Sequence, residues 1–207
     1  LDVDDHPDTV VFSKPPLEVA LTTKSGKQLR LIGAHLKSKA PHGARDDADA
    51  MRISIANRRK QLAQCIWLRA RITEHLTAGD SIAVMGDFND GPGLDGYEKL
   101  FGRSGVEIVL GQSGDAAQTL YDPHAEAVMM HPFGARPTTS RFFVHHENRY
   151  LNALLDYIMV SADLAAKAPK WHIWHPFDDP DCWNKQELRD ALLVASDHFP
   201  VTLDIDL

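Results

Sequence analysis

The short segment Ser81–Met85 constrains the fold more than any other part of the sequence. It reads SIAVM, almost wholly apolar, and a loop crowded with turn-forming residues, Gly86–Gly93, follows it at once. A strand with apolar side chains on both sides needs cover on both of its faces. The segment therefore predicts a central strand inside a layered domain.

Apolar residues elsewhere in the chain supply the other layers. The segment Ile53–Leu76 carries apolar residues at roughly helical spacing, with Arg and Lys between them. Strands interleaved with one long helix predict an α/β domain. Apolar or alternating runs of strand length occur at Val10–Phe12, Leu17–Thr23, Gln28–Leu36, Leu154–Val160, Trp171–Trp174 and Pro200–Leu207, and shorter helices are predicted at Tyr97–Phe101 and Gln186–Val194.

Length and charge limit the class of protein. The chain has 207 residues, of which 43% are hydrophobic, and a formal net charge of −7. These values predict a single globular domain over residues 1–207. The negative charge argues against a non-specific polyanion binder, but not against an enzyme that handles a phosphate ester through a bound cation. No apolar stretch approaches the ~20 residues that a membrane span needs. A soluble protein is indicated, either cytoplasmic or secreted, and its oligomeric state stays open.

Four short segments place ionisable side chains at the ends of, or inside, apolar strands. A buried Asp or His is costly unless it is paired or bound to a metal. Such side chains at several strand ends therefore suggest one shared site where the strands meet. The segments are Ala34–Lys39, Gly86–Asp90, Leu155–Tyr157 and Ser196–Pro200.

Each of these side chains has a simpler interpretation when it is taken alone. An Asp directly after a strand, such as Asp87, is most often a turn residue that caps backbone NH groups. His35 could be a satisfied structural histidine, and Asp156 a buried acceptor that holds a loop. The four segments together favour one site over four independent structural roles.

In this order, the segments HLKSK, GDFND, LDYIMVS and SDHFPV resemble the endonuclease/exonuclease/phosphatase superfamily of metal-dependent phosphoesterases. The resemblance runs from about Val11 to the C-terminus. The segment FSKPPLEVAL is also similar to pancreatic-type deoxyribonucleases and secreted bacterial nucleases, whereas His35 differs from the Tyr-x-x-Asn pattern of the apurinic endonuclease branch. The resemblance implies a four-layer α/β sandwich of two mainly antiparallel sheets flanked by helices.

The resemblance also implies roles for five catalytic side chains. Asp87 would orient or deprotonate the attacking water, and Asn89 would hold the phosphate. His198 would contact the phosphate or act as general acid or base, with Asp156 as the partner that fixes its tautomer. His35 would contact the phosphate or the leaving group. Phosphodiester cleavage needs such a water, a cation on the phosphate and a donor for the leaving oxygen.

A divalent cation is implied as the cofactor: Mg²⁺ or Mn²⁺, with Ca²⁺ as a further option. Asp197 is the best candidate for a metal ligand in this chain. The main ligand of the family is a Glu on an early strand, which we expect upstream of Leu1. The chain is therefore interpreted as one domain whose N-terminal strands are missing.

Basic and histidine side chains near these segments are weaker candidates. Lys37 and Lys39 are candidates for phosphate contacts, with solvated loop lysines as the equally supported alternative. His145 and His146 are interpreted as loop histidines, because adjacent side chains diverge on a strand and could not share a metal.

These features predict a divalent-metal-dependent phosphodiester hydrolase, with a nuclease acting on nucleic acid as the leading hypothesis. The alternative is a phosphatase, or a phosphodiesterase of phospholipids or small molecules, with the same site, which the acidic net charge favours slightly. A third hypothesis is a catalytically inactive fragment or interaction module. The intact set of site residues argues against it for the parent protein.

Overall fold

The computed structural model describes residues 9–94, 102–111, 115–131, 135–144 and 148–207. The strands are β1 (Leu17–Thr22), β2 (Gln28–His35), β3 (Ile82–Asp87), β4 (Ser140–Val144), β5 (Arg149–Ala153), β6 (Asp156–Val160), β7 (Lys170–Ile173) and β8 (Val201–Asp204). The helices are α1 (Asp47–Thr77), α2 (Gly105–Leu110), α3 (Pro123–Met130), α4 (Ala162–Ala165), α5 (Pro180–Asn184) and α6 (Gln186–Ala195), and Ala116–Gln118 forms a 3₁₀ turn.

A mixed four-stranded sheet with strand order β1-β2-β3-β6 forms the centre of the fold. Strands β2 and β3 run parallel, whereas β1 and β6 are antiparallel to their neighbours. The register pairs His35 with Asp87, and Asp87 with Asp156. Three polar residues that the sequence places at different strand ends therefore form one row across one end of this sheet.

Helix α1 covers one face of the central sheet. Leu68 and Ile72 of the helix belong to the same buried cluster as Ile32 of β2 and Val84 of β3. Each fully buried aliphatic side chain of this kind contributes about 1.5–3 kcal/mol. The helix and the sheet are thus joined by the larger of the two hydrophobic clusters found among the described residues.

The antiparallel pair β7–β8 covers the opposite face. Trp171 of β7 and Leu203 of β8 pack against Leu29 and Ala83 of the central sheet. The first half of β3 is consequently buried on both faces, as the SIAVM segment predicts. The α/β sandwich prediction is confirmed, and in the described residues its second sheet consists of two-stranded pieces, β7–β8 and the hairpin β4–β5.

Two predicted elements differ from the structure. Helix α1 begins at Asp47, before the predicted start at Ile53, because the Asp46 side chain accepts a hydrogen bond from the backbone N of Asp49 at 2.8 Å and caps the first turn. Val10–Phe12 forms no strand; instead the Phe12 ring packs edge-on against Trp67 of α1, with centroids 5.2 Å apart. The helix predicted at 97–101 lies outside the described residues.

Strand β1 lies at the edge of the central sheet and is exposed along its whole length, including the apolar residues Leu17, Val19 and Leu21. The interpretation that N-terminal strands of the domain are missing from this chain stays a prediction. Within the described ranges, no helix, not even the 31-residue α1, combines the length and the apolar character that crossing a membrane requires.

Candidate active site

Strands β2, β3 and β6 bring the candidate residues together at one end of the central sheet. Nε2 of His35 lies 3.5 Å from Oδ2 of Asp87. Asp87, Asp156 and His198 each offer a ligand atom within 4.8 Å of the other two. Gly86 makes the close approach of β2 and β3 possible: its φ is +134°, and a Cβ there would overlap the carbonyl oxygen of Ala34.

Asp87 is held in place by Asn89. Oδ1 of Asp87 accepts a hydrogen bond from the backbone N of Asn89, and Oδ2 accepts one from Nδ2, both at 2.8 Å. Asn89 Nδ2 also donates to the carbonyl oxygen of Leu36 at 3.1 Å, which joins the loop after β3 to the end of β2. The turn-capping role of Asp87 is therefore present alongside its place in the site, and the Asn89 amide is occupied in orienting Asp87.

Asp156 and His198 form a second unit. Oδ2 of Asp156 lies 2.8 Å from Nδ1 of His198 and accepts a hydrogen bond from the Thr139 hydroxyl at 2.8 Å. The Thr139 oxygen in turn accepts from the backbone N of Leu155 and of Asp156, each at 3.0 Å. A carboxylate on Nδ1 fixes the Nδ1–H tautomer of a neutral imidazole and leaves Nε2 for other partners.

Burial and neighbouring charge move the pKa values of two of these groups. Burial raises the pKa of Asp87, a bond from the Asn89 backbone N opposes this, and the nearby Asp156 carboxylate adds to it. The hydrogen bond to Asp156 raises the pKa of His198 and outweighs the opposing effect of burial. Asp87 thus becomes a stronger base, and His198 keeps its proton to higher pH.

The donor set at this end of the sheet fits a divalent cation. Two carboxylates and one imidazole converge there, and the mutual repulsion of Asp87 and Asp156 would be relieved by positive charge between them. Carboxylate oxygens suit Mg²⁺ and Ca²⁺, and the imidazole nitrogen adds a ligand that Mn²⁺ accepts more readily.

Asp197 lies outside this group of three. It is exposed, and its carbonyl oxygen accepts a hydrogen bond from the backbone N of Arg141 at 2.8 Å. Its predicted role as a metal ligand stays a prediction. His145 and His146 lie outside the described residues.

Both candidate lysines form contacts within the protein, Lys37 through its backbone N and Lys39 through its ammonium group. The backbone N of Lys37 donates to Oε1 of Gln64 at 2.8 Å. The Lys39 ammonium forms an ion pair with the buried Asp90 carboxylate, which also accepts from the backbone N of Gly105 at 2.6 Å. In this arrangement the Lys39 charge ties the loop after β2 to the loop after β3. The predicted phosphate contacts of both lysines stay predictions.

Gln61 of α1 supports the site and is missed by sequence reasoning. Its side chain is fully buried, and Nε2 lies within hydrogen-bond distance of three carbonyl oxygens: 3.0 Å from Lys37, 3.2 Å from Phe88 and 2.9 Å from Asn89. The helix thereby joins the two loops that follow His35 and Asp87. One sequence feature could have indicated this role: two glutamines, Gln61 and Gln64, lie three residues apart within the apolar face of a long helix, where polar side chains need partners.

Comparisons with known proteins show the family of this chain. The model of the Endonuclease/Exonuclease/phosphatase family matches residues 8–198. The structure is similar to that of the human Nocturnin catalytic domain with bound sulfate, with 19% sequence identity and a TM-score of 0.36. The match covers 72% of this chain and 39% of the Nocturnin chain, so this chain spans well under half of that domain. A comparison with curated proteins finds no match.

Proposed function

Because the chain belongs to the Endonuclease/Exonuclease/phosphatase family, we propose that it is a divalent-metal-dependent phosphodiester hydrolase acting on nucleic acid. One observation carries this proposal. A half-buried, oriented carboxylate (Asp87) and a carboxylate–histidine pair (Asp156–His198) converge within 4.8 Å at one end of the sheet. Phosphodiester hydrolysis needs a base for water and a donor for the leaving oxygen, and this arrangement offers both.

Asp87 is the group that orients the attacking water and takes its proton. Two hydrogen bonds from Asn89 fix the direction of the Asp87 carboxylate, so little reorientation is needed when the substrate is bound. Burial raises its pKa, which makes the carboxylate a better proton acceptor than an exposed Asp.

His198 is the group that faces the phosphate and the leaving oxygen. Asp156 holds Nδ1 of His198, so the proton on Nε2 of the imidazolium is directed into the site, and the same carboxylate stabilises the charged ring. His35 would contact a phosphate oxygen. Its Nε2 lies 3.5 Å from Oδ2 of Asp87, and the Lys14 ammonium lies 3.0 Å from its Nδ1 and 3.2 Å from its Nε2.

Mg²⁺ or Mn²⁺ would be held by the carboxylates of Asp87 and Asp156, with Asp197 as a further predicted ligand. The imidazolium of His198 carries protons on both ring nitrogens and would not ligate the cation. When bound, such a cation neutralises charge on the phosphate. A Glu ligand upstream of Leu1 remains part of the prediction.

A small or lipid phosphoester is the second candidate substrate. The net charge of −7 favours it, because a negatively charged protein gives a long polyanion little electrostatic steering.

The test is divalent-dependent hydrolysis by the chain and by its Asp87→Ala variant. We expect cleavage of plasmid and single-stranded DNA with Mg²⁺ or Mn²⁺, and loss of cleavage in Asp87→Ala with an unchanged circular dichroism spectrum. Turnover on DNA, on a nitrophenyl phosphodiester and on a phosphomonoester separates the two candidate substrates. Equal activity in the two proteins, or turnover of the monoester alone, would overturn the nuclease proposal.

A further inference from the structure

Six side chains beside the active site, four aromatic rings and two guanidinium groups, form a continuous series of contacts, which we call the aromatic–arginine surface. Its members come from the β4–β5 hairpin and from the segment that carries α5 and α6. In spatial order they are Phe143, Tyr150, Arg141, Phe177, Trp183 and Arg189.

Short distances connect each member to the next. Cζ of Arg141 lies 3.8 Å from the ring centroid of Tyr150 and 5.0 Å from that of Phe177, so one guanidinium bridges the hairpin and the helical segment. The Phe177 and Trp183 centroids are 6.4 Å apart, and Cζ of Arg189 lies 5.0 Å from the Trp183 ring. Such contacts fix the positions of the rings: a guanidinium lies over one face of Tyr150 and of Trp183, and both side chains remain about half exposed.

The rings of this surface are exposed to an extent that core packing does not explain. Trp183 is 52% exposed, Tyr150 53% and Phe177 40%. Leaving large apolar rings in water forgoes the free energy of burial, and contiguous exposed rings mark binding surfaces.

The surface is joined directly to the catalytic end of the sheet. The backbone N of Arg141 donates to the carbonyl oxygen of Asp197, and the preceding residue, Ser140, forms a β-bridge with His198. On the helical side, the ring of His175 lies 4.7 Å from that of Phe199, the residue after His198. A strand whose phosphate lies at His198 would therefore pass its neighbouring nucleotides over these rings.

We propose that the aromatic–arginine surface binds the unpaired bases of single-stranded nucleic acid next to the scissile phosphate. The inference rests on the proposed function and specifies the form of its substrate. Aromatic rings bind bases by stacking irrespective of sequence, and guanidinium groups stack on bases and contact phosphates. A duplex keeps its bases stacked inside and does not present them to such a surface.

The local charges of this surface favour a nucleic-acid strand over an anionic lipid membrane as the occupant. Two arginines lie among the rings, where a guanidinium can stack on a base and contact a phosphate. Exposed Asp178 and Asp190 lie close by and would oppose an anionic bilayer as a whole. They also weaken phosphate attraction, so we expect binding that depends on bases more than on salt.

The test measures binding without cleavage, in EDTA, by fluorescence anisotropy of a labelled oligothymidylate. Tyr150→Ala and Trp183→Ala should each weaken binding by roughly 5- to 100-fold, as for the loss of one stacked base. Trp67→Ala is the matched control, because Trp67 is 50% exposed on α1 and should leave the affinity unchanged. An abasic strand of equal length should bind the chain and the two variants equally weakly.

Several results would overturn the inference. One is an oligothymidylate affinity that is unchanged in both variants, and another is an equal affinity of the unaltered chain for the single strand and for its duplex. A third is that the two variants lose binding to phosphatidylcholine–phosphatidylglycerol vesicles but keep their binding to DNA. Tyr150→Leu and Trp183→Leu, which keep apolar bulk, repeat the test if an alanine variant unfolds. The assay uses no turnover, so DNA that binds but is not hydrolysed would count against the proposed function and not against this surface.

Discussion

Two carboxylates at strand β6 serve the molecule in different ways: Asp156 is its first residue, and Asp122 accepts a hydrogen bond from its backbone. The Asp122 side chain is fully buried, and its hydrogen bonds within the described residues come from backbone N atoms: those of His124 and Ala125 at 2.9 Å and that of Ile158 at 3.2 Å. Asp156 is 19% exposed in its side chain and its Oδ2 meets two side chains, those of Thr139 and His198.

The difference lies in what each carboxylate holds. Backbone donors fixed by a helix start and a strand make Asp122 a structural cap for α3. Asp156 instead holds His198, whose side chain is one-third exposed and can therefore contact a ligand. A buried acid is therefore better classified by its partners than by its burial.

The largest expected effect follows from removing the histidine that Asp156 holds. His198→Ala should lower kcat by about 10²–10⁴-fold, because it removes an acid–base group and its positive charge. Steady-state hydrolysis of DNA checks this. His75→Ala is the control: His75 also lies 2.7 Å from a carboxylate, that of Asp80, but at the far end of α1. It should lower the midpoint of thermal unfolding and leave kcat intact, and equal losses of kcat in the two variants would contradict the assigned role.

The second effect concerns stability and pH at Asp122. Burial raises the pKa of Asp122 to about 6 from its ordinary 3.8. The folded state then binds more protons than the unfolded state between these values, so the free energy of unfolding should fall as pH rises from about 4 through about 6, by up to about 3 kcal/mol.

Urea unfolding of the chain and of Asp122→Asn across this pH range measures the Asp122 effect. The asparagine does not ionise, so the stability advantage of the unaltered chain over the variant should shrink as pH rises. A difference that stays constant with pH would show that Asp122 does not titrate in this range.

The third effect compares the same substitution at the two acids. Asp156→Asn should lower kcat by about 10- to 100-fold, because the amide no longer stabilises the charged His198 ring or fixes its tautomer. Asp122→Asn should lower stability and leave kcat of the folded molecules within about twofold of the parent. The measurement is kcat and KM for both variants. A loss of kcat in Asp122→Asn but not in Asp156→Asn would contradict the assignment of a structural role to Asp122 and a catalytic role to Asp156.

The smallest effect concerns positioning through α1. Gln61→Met keeps the volume of the side chain and removes the donors to the loops after β2 and β3, so kcat should fall about tenfold through misplaced catalytic groups, with KM little changed. Gln64→Met removes only the acceptor of Lys37 and should cost less. If Gln61→Met alters the unfolding midpoint but not kcat, the glutamine supports the fold alone.

Much of the candidate site could be predicted from sequence because its residues end apolar strands. His35, Asp87 and Asp156 were identified in this way, and the sheet register aligns them in one row. Hydrophobic periodicity likewise identified the core strands and the body of α1. In each case the signal is local, a contrast between an apolar run and a polar end.

Contacts between distant segments could not be predicted in the same way. The Thr139 bond to Asp156 joins the bend before β4 to the start of β6, and Gln61 reaches backbone oxygens more than twenty residues away in sequence. The β4–β5 hairpin is not among the strands predicted from the sequence, and the aromatic–arginine surface that it carries was missed with it.

The bare backbone of Gly86 sets a limit on how this protein can be altered. Since a methyl group there would overlap the Ala34 carbonyl, any other amino acid would wedge β2 away from β3. The gap between the His35 imidazole and the Asp87 carboxylate would widen with it. Engineering of this protein for a larger substrate should therefore vary the surrounding loops and keep Gly86. A glycine at this position allows the strands that carry His35 and Asp87 to lie close enough for their side chains to share one site.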